Sequence, residues 1–290
     1  MQLSDINFIK SLLSRHGFHF SKALGQNFIV NDSVCPKMAE FATQGADFGV
    51  IEIGPGIGVL TRELSKCAKK VVAIELDKRL IPILKETLAD CGNTEVIFGD
   101  AMKLDLLEII EEKFKGLRVC VCANLPYYIT SPIIMGLLEK RLPLDNITVM
   151  VQKEAAERLC AAPGERNCGA VSAAVSYFSD PEILFEVKRD SFLPPPKVDS
   201  AVISLKIRKN APIEPKSEEF FFKTVRAAFA QRRKTVANSL SATFKMNKQI
   251  ISQILQQNGI SPLARAEALT ISELSTISDT LMDVVKQQML

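Results

Sequence analysis

A chain of 290 residues, 47% hydrophobic and 24% charged, is long enough for one large domain plus a small one and too long for a single comfortable core. No run approaches a membrane span, and Met1 to Asn7 lack the basic and apolar regions of a signal peptide, which predicts a cytoplasmic protein. Seven cysteines without a C-x-x-C pair, and only His16 and His19 beside them, predict reduced core thiols and no metal; the net charge of +3 conceals 24 basic against 26 acidic residues over 1–206 and 12 against 7 over 207–290.

From about residue 48 to 152 short apolar runs alternate with helical patterns, the signature of βαβ units and a parallel sheet. Strands are predicted over 49–53, 70–75, 95–98, 118–123 and 146–152, with helices near 59–68, 78–88, 104–114 and 131–139 between them. The alternating runs 183–187 and 200–207, joined by Phe192-Leu193-Pro194-Pro195-Pro196-Lys197, predict an antiparallel edge hairpin that completes the sheet. Residues 208–215, charged and proline-bearing, read as a linker. Beyond them 220–230, 235–243, 248–257 and 272–286 have helical spacing, with Gly259 and Pro262 as a stop and Ser272 with Glu273 as a start. The expected fold is α/β: a Rossmann-like, mostly parallel sheet over 1–207 and a small all-helical domain over 208–290.

Four strand ends carry candidate ligands, three of them as a single polar residue. Glu52-Ile53-Gly54-Pro55-Gly56-Ile57-Gly58 closes the first strand and opens a helix, so Gly54 and Gly56 allow close backbone approach and N–H groups at the helix start suit a polar or anionic group. Glu75, ending the second strand, is placed to accept from both ribose hydroxyls, as in a dinucleotide fold. Val59 stands where the third glycine of a dinucleotide fingerprint belongs, which argues against a nicotinamide cofactor. Asp100 follows the third strand, placed to accept from an adenine amino group, and Asn124 follows the fourth. All three then line the sheet edge where open α/β folds bind ligands.

Asn124-Leu125-Pro126-Tyr127 suggests a reaction. The lone pair of an exocyclic base amine is delocalised into its ring, and the nitrogen becomes nucleophilic only when something accepts from its N–H groups. The Asn124 side-chain oxygen and the Leu125 carbonyl are candidate acceptors. Pro126 biases Leu125 toward an extended conformation, and Tyr127 is placed to stack on the base. Alternatively the stretch is a strand-to-helix turn, with Pro126 for stiffness and Tyr127 as packing. Further on, no acidic residue lies between Glu219 and Glu267, whereas Lys223, Arg226, Arg232, Arg233, Lys234, Lys245, Lys248 and Arg265 do, which predicts a polyanion-binding face.

Five segments taken in order resemble one family over nearly the whole chain: Ala23-Leu24-Gly25-Gln26-Asn27-Phe28, Glu52-Ile53-Gly54-Pro55-Gly56, Asn124-Leu125-Pro126-Tyr127, Phe192-Leu193-Pro194-Pro195-Pro196-Lys197-Val198-Asp199-Ser200 and Phe229-Ala230-Gln231-Arg232-Arg233-Lys234-Thr235. That family is the bacterial small-subunit (16S) ribosomal RNA adenine-N6,N6-dimethyltransferases, RsmA/KsgA, within the Class I methyltransferases that use S-adenosylmethionine. The resemblance implies that Asn27 and Ile29 join Gly54, Gly56, Glu75, Asp100 and Asn124 around S-adenosylmethionine. It implies that Phe192 faces Tyr127 across the target base, where stacking is worth roughly 1–3 kcal/mol. It further implies two adjacent target adenosines in a hairpin near the 3′ end of 16S rRNA, on an immature 30S subunit, with Arg226, Arg232, Arg233, Lys234, Lys245 and Lys248 gripping the RNA. A monomer without membrane or metal partners is expected. Ile29 and Val171 stand where the family frequently has leucine, and Cys168 where it frequently has an aromatic residue, changes that bear on packing beside the site. Three alternatives remain open: a large-subunit (23S) adenine methyltransferase of the antibiotic-resistance type, a non-catalytic RNA-binding assembly factor, and a nicotinamide oxidoreductase.

Overall fold

The structure, a computed structural model, describes residues 3–21, 25–43 and 47–288, and the chain divides into two units, 1–156 with 180–207, and 157–179 with 208–290. In the first unit the elements run α1 (Ile6–Arg15), β1 (Phe28–Ile29), α2 (Val34–Thr43), β2 (Phe48–Ile53), α3 (Val59–Cys67), β3 (Lys70–Glu75), α4 (Ile81–Thr87), β4 (Thr94–Phe98), α5 (Leu106–Lys113), β5 (Arg118–Asn124), α6 (Thr130–Glu139) and β6 (Asn146–Gln152). Next along the chain come α7 (Lys153–Leu159), which crosses the unit boundary, α8 (Ala170–Phe178) of the second unit, and β7 (Ser179–Val187), from Asp180 on, β8 (Phe192–Leu193) and β9 (Ser200–Ile207) of the first.

Seven strands hydrogen-bond in the order β4-β3-β2-β5-β6-β9-β7. From β4 to β6 the pairs are parallel, and β9 runs antiparallel to β6. Ile51 lies between Val72 and Val121 in the register, and all three are fully buried. Burial on both faces is why these strands appear in the sequence as unbroken apolar runs. Because β3 and β5 flank β2 on opposite sides, the order reverses there and a crevice opens at the carboxyl ends of the strands.

The N-terminal segment, for which no element was predicted, contributes two helices. In α1, Asp5 caps the first turn by accepting from the Phe8 N–H at 2.7 Å, and Ile9, Leu12 and Leu13 pack with Ile83 and Leu84 of α4. In α2, Met38, Ala39 and Ala42 pack with the Cys120 and Cys122 thiols of β5. Those two cysteines and Cys35 are buried and reduced, and burial pushes their thiols above the ordinary range.

β1 and β8 form a separate antiparallel ribbon, with Phe28 opposite Leu193 and Ile29 opposite Phe192. Side chains of directly opposed residues share a face and alternate along each strand. Accordingly Ile29 and Phe192 belong to the apolar cluster containing Val34 and Val202, while Phe28 and Leu193 pack in the cluster containing Ile57 and Leu80.

The second unit holds α9 (Glu218–Phe229), α10 (Val236–Phe244), α11 (Lys248–Gln257) and α12 (Ile271–Gln288). Residues 157–179, expected to belong to the first domain, cluster with these helices instead. Aromatic packing is the cause: Phe178 stacks on Phe222 at 5.4 Å, and Tyr177 meets Phe221 at 5.6 Å. Arg208, at the head of the expected linker, is fastened to this helix, its N–H donating to the Phe178 carbonyl at 2.9 Å. The start of α12 is capped by Thr270 rather than Ser272: the Glu273 N–H donates to the Thr270 hydroxyl, and the Glu273 carboxylate accepts from the Thr270 N–H at 2.7 Å. Among the described residues no helix is long and apolar enough to cross a membrane, and no three metal-ligating side chains gather.

Candidate active site

An open cleft lies at the carboxyl ends of β2 to β5. Its lining includes Asn27, Ile29, Gly54, Gly56, Glu75, Asp100 and Asn124, together with Leu125, Pro126 and Tyr127. Segments more than 90 residues apart in the chain are thus brought to one wall.

The glycine loop is shaped for close approach. Gly54, Gly56 and Gly58 all have positive φ, and a Cβ on Gly56 would meet the Phe28 ring at 3.2 Å. One N–H of the loop is already in use, since Gly56 donates to Glu75 Oε2 at 3.3 Å. The other Glu75 oxygen accepts from the Asp77 N–H at 2.7 Å. Burial raises the Glu75 carboxyl above its ordinary range, with these two N–H groups opposing. Glu52, one strand back and 1% exposed, is pushed up to about 8 by burial, with Thr61 opposing and Glu75 adding to the rise.

Asp77 was not singled out from the sequence, nor was Gln26. Gln26 donates to Asp77 Oδ2 at 2.8 Å and accepts from the Ser21 N–H at 3.0 Å. Arg79 grips the same carboxylate and holds it below the usual range, while its guanidinium also donates to the His19 carbonyl. The Gln26-Asp77-Arg79 chain therefore fastens His19, Ser21 and Gln26 to the end of β3. Of the motif that begins at Ala23, Ala23 and Leu24 lie outside the described residues. The signal that would have found Asp77 is its place two residues after Glu75, where an acid can cap the following turn, as it does by accepting from the Arg79 N–H.

Asn124 ends β5 with its amide held in one orientation. Its Nδ2 donates to the Asn27 carbonyl at 3.3 Å, and since only the NH₂ can donate, Oδ1 remains as acceptor. Asn27 is set in turn by donating to the Gly25 carbonyl at 3.2 Å. Leu125 is buried, its N–H donating to the Met150 carbonyl, and its own carbonyl accepts no hydrogen bond among the described residues. Pro126 has φ −58° and ψ 129°, an extended turn that starts a short 3₁₀ segment at Tyr127. Two acceptors on adjacent residues are therefore available at the cleft.

Tyr127 is half-buried, which raises its phenol, and its hydroxyl lies 2.7 Å from Ser200 Oγ. The neighbouring Tyr128 is the more exposed ring, at 58%, and a Cβ on Gly25 would stand 3.5 Å from it. Asp100 uses Oδ1 to accept from the Met102 N–H at 3.0 Å, so it caps its own turn while bordering the cleft.

Phe192 is the exception. It is 3% exposed, packs beside Ile29 in the core and does not line the cleft. Its register opposite Ile29 puts the two side chains on one face of the ribbon, within one apolar cluster. In the second unit, Arg226, Arg232, Arg233, Lys234, Lys245 and Lys248 are exposed, and Arg232 donates to the Arg166 carbonyl at 3.0 Å.

Residues 17–281 match the profile of the family described as ribosomal RNA adenine dimethylase. The chain is 47% identical over 278 residues to the ribosomal RNA small subunit methyltransferase A of Clostridioides difficile (strain 630), with 96% of each chain covered. It is 46% identical over 280 residues to the protein of the same name from Geobacillus sp. (strain WCH70), with 95% of this chain and 96% of that one covered. Among solved structures it is similar to a dimethyladenosine transferase from Plasmodium falciparum, 26% identical, with 90% and 98% of the chains covered and a TM-score of 0.72. It is also similar to the 23S rRNA methyltransferase ErmE, 26% identical, with 88% and 100% covered and a TM-score of 0.69.

Proposed function

The chain belongs to the ribosomal RNA adenine dimethylase family, and on that footing we propose that it methylates N6 of two adjacent adenosines in a hairpin near the 3′ end of 16S rRNA, giving N6,N6-dimethyladenosine. The observation that carries the chemistry is the Asn124 amide, whose NH₂ donates to the Asn27 carbonyl and leaves its oxygen as an acceptor. Its relatives at 46–47% identity are small-subunit enzymes, whereas the similarity to the 23S enzyme stands at 26%, which favours the small subunit. An intact Asn124 beside Glu75 and the glycine loop speaks against a non-catalytic factor.

The cleft fits S-adenosylmethionine: Glu75 offers a buried carboxylate, and a Cβ on Gly54 would meet nothing within 4 Å, so the glycine leaves open space there. When bound, the cofactor supplies an electrophilic sulfonium methyl. Asn27, Ile29, Gly54, Gly56, Glu75 and Asp100 would hold it. Asn124 Oδ1 and the Leu125 carbonyl accept from the two N6 protons and draw the nitrogen toward tetrahedral geometry, so that its lone pair becomes available. No side-chain base is required, because the methylated ammonium is acidic enough to lose its proton to water. The exposed cations of the acid-free segment would bind the RNA backbone. We place the protein in the cytoplasm, acting as a monomer on an immature 30S subunit.

The test is to incubate the protein with labelled S-adenosylmethionine and under-methylated small subunits and to map the modified bases. Label on two adjacent adenosines near the 3′ end of the 16S RNA is expected. Label confined to large subunits would refute the reading.

A further inference from the structure

Ser200 is fully buried at the start of β9, and its Oγ lies 2.7 Å from the Tyr127 hydroxyl, 73 residues away in the chain. Ser200 does not line the cleft, and its position is held by its neighbours. It pairs with Gln152 across the antiparallel ladder, and the preceding Asp199 carbonyl accepts from the Lys153 N–H at 3.0 Å. The Asp199 carboxylate accepts from the Arg189 N–H at 3.0 Å and from the Lys188 ammonium at 3.1 Å. One end of the hydrogen bond is therefore fixed by the sheet. The other end belongs to an aromatic ring at the mouth of the acceptor site.

We propose that Ser200 is a positioning residue that fixes the Tyr127 ring, and that this bond governs the second methyl transfer to each adenosine. The inference rests on the adenine-dimethylating reading above. In each transfer the N6 lone pair takes the methyl carbon, the carbon–sulfur bond breaks to leave a thioether, and an N6 proton passes to water. Unmodified adenine can donate two N–H groups, one to Asn124 and one to Leu125. After the first transfer only one N–H remains, so stacking carries a larger share of the base's orientation. A ring free to swing then slows the second transfer more than the first.

The experiment follows methylation of under-methylated small subunits by wild type, Ser200→Ala, Tyr127→Phe and the double variant, with N6-methyl and N6,N6-dimethyl products separated over time. Each single variant is expected to slow the second transfer by about five- to tenfold, the scale of one hydrogen bond. For Ser200→Ala the first transfer and the KM for S-adenosylmethionine should change by less than about twofold, and the double variant should be no slower than either single. Tyr127→Phe, read only by its ratio of second to first transfer, carries the test if the serine variant folds poorly. Equal slowing of both transfers, an unchanged product ratio, or additive effects in the double variant would overturn the role given to Ser200. Wild-type protein leaving the adenosines unmethylated would instead overturn the reading on which the inference rests.

Discussion

Glu52→Gln isolates a buried carboxyl whose titration should control stability. Glu52 is 1% exposed, and its carboxyl is pushed from an ordinary value of 4.5 up to about 8. Below pH 4.5 folded and unfolded chains both keep the proton. Between 4.5 and about 8 only the folded chain keeps it, so this group makes folding less favourable as pH rises through that window. At about 1.4 kcal/mol per pH unit the full window has a ceiling of roughly 5 kcal/mol, and the part between pH 5 and 8 comes to about 3 to 4 kcal/mol. Glutamine has nearly the same volume and does not titrate. Urea unfolding of both proteins across that range, with linear extrapolation, should show wild type losing about 3 to 4 kcal/mol relative to the variant. Other titrating groups cancel in the difference. Parallel pH profiles for the two proteins would refute the reasoning, because they would mean that Glu52 titrates alike folded and unfolded.

Asn124→Ala should lower methyl transfer by roughly 10²–10³ while leaving cofactor affinity within a few-fold, since it removes a preorganised acceptor at the reacting nitrogen; turnover near wild type, measured beside equilibrium dialysis, would sink the mechanism. Gly56→Ala places a side chain at φ 60° with its Cβ 3.2 Å from the Phe28 ring. It should destabilise the fold by about 1–2 kcal/mol and weaken S-adenosylmethionine binding, both readable from thermal unfolding with and without cofactor. Replacing Arg232, Arg233 and Lys234 together by Glu should weaken RNA binding and flatten the plot of log affinity against log salt by about one unit of slope per lost phosphate contact; an unchanged slope would remove those residues from the RNA face.

The sheet was legible because its physics is local. Strands buried on both faces leave unbroken apolar runs, and the expected bounds 70–75, 146–152 and 200–207 coincide with those of β3, β6 and β9. The cleft was legible for a related reason: a ligand edge at strand ends needs polar residues at those ends, and Glu75, Asp100 and Asn124 mark them. What escaped depends on tertiary pairing. α1 and α2 lie in a stretch read only through its motif, and their apolar faces acquire meaning only against α4 and β5. The ribbon of β1 and β8 joins residues more than 160 positions apart, and neither two-residue strand has a pattern to detect. Phe192, brought to the site by the resemblance alone, lies in that ribbon opposite Ile29 and is buried there.

The orientation of Asn124 extends this dependence on distant pairing to the chemistry. Unrestrained, an end-of-strand asparagine can present either its oxygen or its NH₂ to a ligand, and an NH₂ facing an amine would repel the donors it must accept. The Asn27 carbonyl decides between the two, and Asn27 belongs to the segment that Gln26 and Asp77 fasten to the end of β3. The same tie places Asn27 beside the glycine loop, on the wall where the cofactor would bind. Cofactor site and acceptor site are therefore set by one stretch of backbone. Loosening that stretch, for example by Gln26→Ala, should lower cofactor affinity and methyl transfer together, whereas Asn124→Ala should lower transfer alone. Measuring both quantities on both variants separates a shared support from two independent sites, and a Gln26 variant that loses affinity while keeping the transfer rate at saturating cofactor would show that the amide does not depend on it.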